Sequence, residues 1–319
     1  MQKHLIDYID NSTDYDVRGV RLLLEYFYAN KQFKAVMGAG APKVVSVFGS
    51  ARAKPGTELY ATAYTVGKML YENGYAVVTG ASGGVMEAAN HGVLDGILDK
   101  LAKSGTYKTR EAASRSKRFA AEKRKYSIGL KITLPFEPHP NPYVGIFATF
   151  HYFNIRKFYF ASLSKGFIAC DGGWGTRDEL YEVLTLVQTG KSPLMPIVVL
   201  SNDYSRLKAE IEYMAEKRYI SGDDLMLIDY VHTPQDAVAV IDGFYKRVDR
   251  IVYPRGGNTV KIYVKTPLSK RIKRTVEEIV ADKDSPYAEV NFGTKVVKLS
   301  GKPHKTFGYL KRVVTVLNG

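Results

Sequence analysis

The stretch FIACDGGWGTRDELYEVLTLVQTG, residues 167 to 190, constrains the fold of this chain more than any other. An apolar run, Phe167 to Cys170, gives way to Asp171-Gly172-Gly173-Trp174-Gly175-Thr176, after which apolar residues recur at helical spacing. A buried strand that passes through glycines into a helix is the βα turn of an open parallel sheet. Three glycines let backbone amides approach an anion, Thr176 can cap the helix while bonding a phosphate oxygen, and the helix dipole adds attraction. Gly172, Gly173, Gly175 and Thr176 are therefore read as a phosphate cradle, with the helix expected over 176–188. No Gly-Lys-Ser/Thr follows, so the loop is not a Walker A loop, nor does it have GxGxxG spacing. Glu179, three residues into the expected helix, either faces the sugar of a bound phosphate or closes a capping box with Thr176.

The same strand, loop and helix order recurs upstream. Val44 to Phe48 breaks at Gly49 and Ser50, in the loop FGSARAKPG that also carries Arg52, and a helix is expected over 58–72 with Asn73 and Gly74 as its stop. Tyr75 to Thr79 is a second strand, followed by Gly80 to Gly84 and a helix opening VMEAANHGVL. Further strands are expected over 127–134, 166–170 and 196–200, and helices over 148–163 and 234–248. Such alternation predicts an α/β, Rossmann-like open sheet, mostly parallel, with helices on both faces. In the second loop the backbone amides suit ribose or phosphate, Met86 suits a base, and Glu87 lies on the first helical turn. A purely structural glycine turn has the same pattern.

Charge divides the chain. The net charge is +14, but residues 99–126 hold 10 basic and 3 acidic residues (+7) and residues 246–319 hold 17 and 6 (+11). The rest, with 19 basic and 23 acidic residues, is −4. The expected organisation is a domain over 1–245, interrupted by a basic insertion at 99–126, and a basic C-terminal module over 246–319. In that module NTVKIYVK reads as a strand, SKRIKRTVEEIVADK as an amphipathic helix, and AEVNFG with TKVVKL as a hairpin, a small α+β unit of β-α-β-β order. One cysteine, Cys170, excludes an intramolecular disulfide, and six histidines without HxH or HxxxH spacing give no metal site. No metal and no cofactor are expected. The N-terminus lacks an apolar signal core and no run approaches a membrane span, so a cytoplasmic location without membrane contact is the expectation.

The segments FGSAR, TGASGGVMEAANHG, LPFEPHPNPYV, FNIRKFYF and GGWGTRDELYEVLTLVQTGK, in that order, resemble the LOG family of Rossmann-like nucleotide phosphoribohydrolases over roughly residues 15–245. The family motif PGGxGTxxE is matched from Gly172 to Glu179, and its Arg-Lys pair by Arg156-Lys157. Asp171 departs from the motif, standing where the family has Pro, and Ser162 stands where many plant-type members carry a second Arg; RKFYF is closer to a longer bacterial branch. The resemblance implies hydrolysis of the N-glycosidic bond of a nucleoside 5′-monophosphate, of AMP or cytokinin riboside type, to free base and ribose 5-phosphate, by a homodimer or larger homo-oligomer without metal.

On that resemblance Glu179 is the catalytic carboxylate, and Arg156 neutralises the 5′-phosphate or orients Glu179. Lys157, Gly49, Ser50, Arg52 and the 172–176 loop take phosphate, while Gly80, Ser82, Gly83, Gly84, Met86, Glu87 and Asn90 take ribose or base. Two further readings stand beside it. One is a nucleotide sensor without turnover, for which Asp171 leaves room, and the other is nucleic-acid association through 99–126 and 246–319.

Overall fold

Why the chain alternates as it does is visible in its strands. VVSVF, AVVT and IVVL are β-branched runs buried on both faces, as strands covered by helices must be. The computed structural model describes residues 15–34, 38, 40–135, 139–253, 258–301 and 307–319. Phe136, Glu137 and Pro138 of the LPFEPHPNPYV segment, and the N-terminal stretch read for a signal core up to Asp14, lie outside the described residues. Chain contacts divide the molecule into two units, Met1–Val47 with Ala51–Ser164, and Phe48–Ser50 with Lys165–Gly319.

The first unit opens with helix α1 (Tyr15–Phe33), followed by β1 (Val44–Phe48), α2 (Glu58–Glu72), β2 (Ala76–Thr79) and α3 (Val85–Lys103). Then come α4 (Arg110–Ser114), α5 (Lys117–Tyr126), β3 (Ser127–Ile132), β4 (Ile146–Phe150) and α6 (Phe153–Leu163). Its strands lie in the order β4-β3-β2-β1, all paired in parallel. The Thr57 hydroxyl caps α2 at its start, and Gly74, in the left-handed region at φ 83°, ends it. Helices α2 and α3 approach so closely that a β-carbon on Gly67 would collide with the Ala89 carbonyl, and one on Gly92 with that of Tyr64.

The basic insertion is folded. Its first five residues finish α3, and the remainder forms α4 and α5, each capped by a hydroxyl, Thr109 and Ser116. Arg110 bonds Asp95 at 2.8 Å and Asp99 at 2.6 Å, and Lys68 bonds Asp99 at 2.6 Å. Tyr71 donates to Glu122 at 3.1 Å. The insertion's charges are thus partly spent on holding it to α2 and α3.

The second unit contains β5 (Ser164–Cys170), α7 (Trp174–Gln188), β6 (Ile197–Leu200), α8 (Ser205–Glu216), β7 (Ile228–Val231) and α9 (Pro234–Phe244). Strands β5, β6 and β7 pair in parallel. Beyond them β8 (Val248–Val252), β9 (Thr259–Val264), α10 (Lys270–Val280), β10 (Tyr287–Phe292), β11 (Val296–Gly301) and α11 (Leu310–Asn318) form an antiparallel sheet in the order β10-β11-β9-β8 with two helices. The fold is α/β and Rossmann-like, with seven strands in parallel pairs and a small α+β C-terminal region.

Several sequence expectations are corrected. The helix expected over 148–163 begins only at Phe153, because IFATF forms β4, where Ala148 pairs with Leu130 and Phe150 with Ile132. The expected strand 127–134 ends at Ile132, and the helix expected to reach Val248 stops at Phe244, since Val248 already belongs to β8. The C-terminal module gains β8 before the expected elements and α11 after them. Leu310, Val313, Val314 and Leu317 of α11 are all buried, the 3.6-residue repeat of a helix facing a core.

Candidate active site

In the second unit the phosphate-type loop is built as a helix start. Ser50 N–H donates to the Asp171 carbonyl at 2.9 Å, tying the chain after β1 to the end of β5. A β-carbon at Gly172 would collide with Thr176 Oγ1 and lie 3.0 Å from Ser50 N, so only glycine fits there. Helix α7 starts at Trp174, two residues earlier than expected, with Gly173 as its N-cap and no side-chain cap. Thr176 therefore sits inside the first turn, and the Thr176–Glu179 capping box is ruled out. The hydroxyl lies against Gly172, and the first-turn N–H groups have no intrahelical partners, the arrangement that receives an anion at a helix start.

Glu179 is 5% exposed, enclosed one turn beyond Thr176. A carboxylate enclosed one turn beyond a helix start can stabilise positive charge that develops on a sugar. Gly49 and Ser50 are half-buried, whereas Asp171, Gly172, Gly173 and Gly175 are exposed and Trp174 is 94% exposed. Cys170, fully enclosed next to Asp171, has its thiol pushed up to about 12, first by burial and then by that carboxylate. It acts as a small hydrophobe ending β5.

In the first unit, Gly80 to Gly84 link β2 to α3. Two residues there have positive φ, Gly84 at 66° and the non-glycine Ala81 at 60°. Ala81 is held from three sides. Its N–H donates to Thr79 Oγ1 at 3.1 Å, its carbonyl accepts from Asn141 N–H at 2.9 Å, and Asn141 Nδ2 donates to the adjacent Ser82 carbonyl at 3.0 Å. Asn90 completes this brace. It is fully buried, its Oδ1 accepting from Thr79 at 2.7 Å and from Asn141 at 3.2 Å while its Nδ2 donates to Ser127 at 2.9 Å. The sequence places Asn90 on ribose or base; the structure encloses it as a loop-bracing residue.

Arg156, on α6, and Met86, on α3, meet at Gly80. A β-carbon on Gly80 would lie 2.8 Å from Met86 Sδ and 3.8 Å from Arg156 Nη1. The Arg156 guanidinium is 4.9 Å from the Phe153 ring centre and 5.8 Å from that of Phe160, so aromatic faces fix the cation. Lys157 is half-buried and Arg52 exposed. Glu87, also half-buried, accepts from the Tyr60 hydroxyl at 3.1 Å. Sequence reasoning missed Tyr60, Asn141 and the Thr79–Asn90–Ser127 brace, which join segments distant in the chain. Among the described residues, no cluster of three or more His, Cys, Asp or Glu side chains is placed to hold a metal ion.

The family model described as "Possible lysine decarboxylase" matches residues 111–241, and that described as "SLOG cluster4 family" matches residues 42–97. A protein of Oryza sativa subsp. japonica, "Probable cytokinin riboside 5'-monophosphate phosphoribohydrolase LOGL6", is 32% identical over 99 residues, 30% of this chain. These matches support LOG family membership for the chain. The match spans 39% of the rice protein's own length. Two solved structures of other proteins are also similar to this chain. The molybdenum cofactor binding protein of Rippkaea orientalis matches at 20% identity and TM-score 0.39, covering 64% of this chain and 98% of that one. The molybdenum cofactor carrier protein of Chlamydomonas reinhardtii matches at 19% and 0.37, covering 63% and 96%. Among the described residues, no helix is long and apolar enough to cross a membrane.

Proposed function

We propose that this chain hydrolyses the N-glycosidic bond of a nucleoside 5′-monophosphate, of AMP or cytokinin riboside type, releasing free base and ribose 5-phosphate. The observation that carries this reading is the buried carboxylate of Glu179 on a helix whose start, Gly172 to Thr176, is shaped for a phosphate. Glu179 stabilises the positive charge that grows at C1′ as the bond to the base breaks. Backbone amides of Gly172, Gly173, Gly175 and Thr176, with Gly49 and Ser50, take the phosphate. Arg156, Lys157 and Arg52 are the proposed sources of positive charge, and Gly80, Ser82, Gly83, Gly84, Met86 and Glu87 the proposed contacts of ribose or base. Incubation with AMP, CMP, GMP and UMP, followed by chromatography of the free base, tests it. Base release from none of them, with nucleotide binding retained, makes the chain a sensor and overturns the reading.

The working form is proposed to be a homodimer. Helix α1 exposes Val20, Leu23, Leu24, Phe27 and Tyr28, and α6 exposes Phe153 and Phe158, in a unit where α1 and α6 are packed through Tyr26 and Tyr159. Apolar exposure of this extent on a folded unit is the mark of a surface that meets another, and a second copy presents the same surface. A nucleic-acid contact through 99–126 and 246–319 is a second reading, favoured by the exposed Lys108, Arg115, Lys117 and Arg118 of the insertion. Retention on a nucleic-acid column that falls steeply with salt, and is lost on deleting 99–126, is its test.

A further inference from the structure

Glu87 is held as an oriented acceptor. Its Oε1 receives the Tyr60 hydroxyl at 3.1 Å, from α2. Its other oxygen, Oε2, lies 3.8 Å from the point a β-carbon on Gly83 would occupy, against the bare backbone of the loop. The Ala51 carbonyl is 3.6 Å from the same point. Two acceptors therefore converge where the chain carries no side chain, and neither can donate. Burial, and then the charge of Glu87, raises the Tyr60 pKa well above the ordinary value, so the phenol keeps its proton and remains the donor. Such a place suits a group rich in hydroxyl donors. A ribose 2′-hydroxyl, which carboxylates bond in dinucleotide-binding folds, is such a donor.

We infer that Tyr60 and Glu87 act together as the sugar discriminator of the site, Glu87 accepting from the 2′-hydroxyl of a ribonucleotide and Tyr60 positioning that carboxylate. The inference rests on the nucleotide reading of the site. A 2′-deoxyribonucleotide leaves Glu87 with a desolvated, unanswered oxygen and is rejected. Glu87→Gln replaces one acceptor oxygen by a donor and removes the preference. Tyr60→Phe keeps the ring and frees the carboxylate to turn, weakening the preference without abolishing it.

The test measures dissociation constants of AMP and dAMP by calorimetric titration for the full chain and for Y60F and E87Q, with free-base release followed in parallel. The wild type is expected to bind AMP at least about tenfold more tightly than dAMP, as a hydrogen bond to a charged group warrants. E87Q brings the two affinities together, and Y60F narrows the gap by several-fold, both by weakening AMP alone. dAMP serves as the internal control for folding, since a merely structural loss weakens both nucleotides alike. Equal wild-type affinities, or variants that lose both nucleotides in proportion, overturn the inference. Base release without sugar preference leaves the hydrolase reading standing and sinks this one. Sugar preference without base release does the reverse.

Discussion

Thr79 donates its hydroxyl to Asn90 Oδ1 at 2.7 Å, in a brace that holds the non-glycine Ala81 at φ 60°. Because both partners are fully buried, removing one strands the other without water. Asn90→Ala is expected to lower stability by about 2–3 kcal/mol in urea denaturation, because Thr79, Ser127 and Asn141 each lose a buried partner. A loss within about 0.5 kcal/mol would show that the brace is not structural.

Replacing the Glu179 carboxylate is expected to remove turnover while sparing nucleotide binding. Base release by Glu179→Ala should fall at least about a hundredfold, with the AMP dissociation constant changed by only a few-fold. Undiminished release takes Glu179 out of the chemistry.

Gly172 and Gly175 should respond in opposite ways. A β-carbon at Gly172 meets Thr176 and Ser50, whereas one at Gly175 meets nothing within 4 Å. Gly172→Ala is expected to cost about 1–3 kcal/mol and to loosen AMP. Gly175→Ala, in the first turn of α7, should leave stability unchanged or raise it by several tenths of a kcal/mol. Parallel thermal melts and AMP titrations check both.

The apolar face of α1 gives a prediction about assembly. Leu23 is 55% exposed and Phe27 59%, so charge at either site damages a shared surface far more than the fold of one copy. Leu23→Glu with Phe27→Glu should shift the chain from dimer to monomer in sedimentation equilibrium with its helical circular dichroism intact. A wild type that sediments as a monomer at high concentration contradicts the dimer outright.

The Lys68–Asp99 pair ties stability to pH at both extremes. The Lys68 hydrogen bond is the main cause holding the Asp99 pKa below 3.8, so its contribution is full above that value and lost as pH falls through the lower folded value. The same bond raises Lys68 above 10.5; that contribution is full below 10.5 and lost as pH rises through the higher folded value. Asp99→Asn should therefore flatten the stability profile on its acid limb below about pH 4 and on its alkaline limb above about pH 10. Chemical denaturation across pH measures this, and a variant whose profile parallels the wild type would show the pair to be inert.

The sequence was most legible where one local pattern decided the outcome. Val44 to Phe48 is a strand because five consecutive residues are buried, and Glu58–Glu72 ends at Asn73 because Gly74 takes a left-handed angle. Ala148 to Phe150 misled because aromatic and small residues suit helix and strand alike, and only pairing with Leu130 to Ile132 decides between them. The start of α7 was misplaced for a related reason: Thr176 has the chemistry of a cap, yet Gly173 makes the entry and Thr176 is drawn in against Gly172. Asn90 carries no local sign of burial. Its role arises from Thr79, Ser127 and Asn141, up to 51 residues away.

The collision geometry at Gly67 and Gly92 bears on motion. Packed helices usually slide past one another by small side-chain adjustments, which act as bearings between the two backbones. Helices α2 and α3 lack that layer at these two points, where backbone lies against backbone. Shear between them is blocked, so the span from Tyr60 on one to Glu87 on the other is a fixed gauge. Whatever opens or closes elsewhere, a sugar offered to that carboxylate meets the same ruler each time.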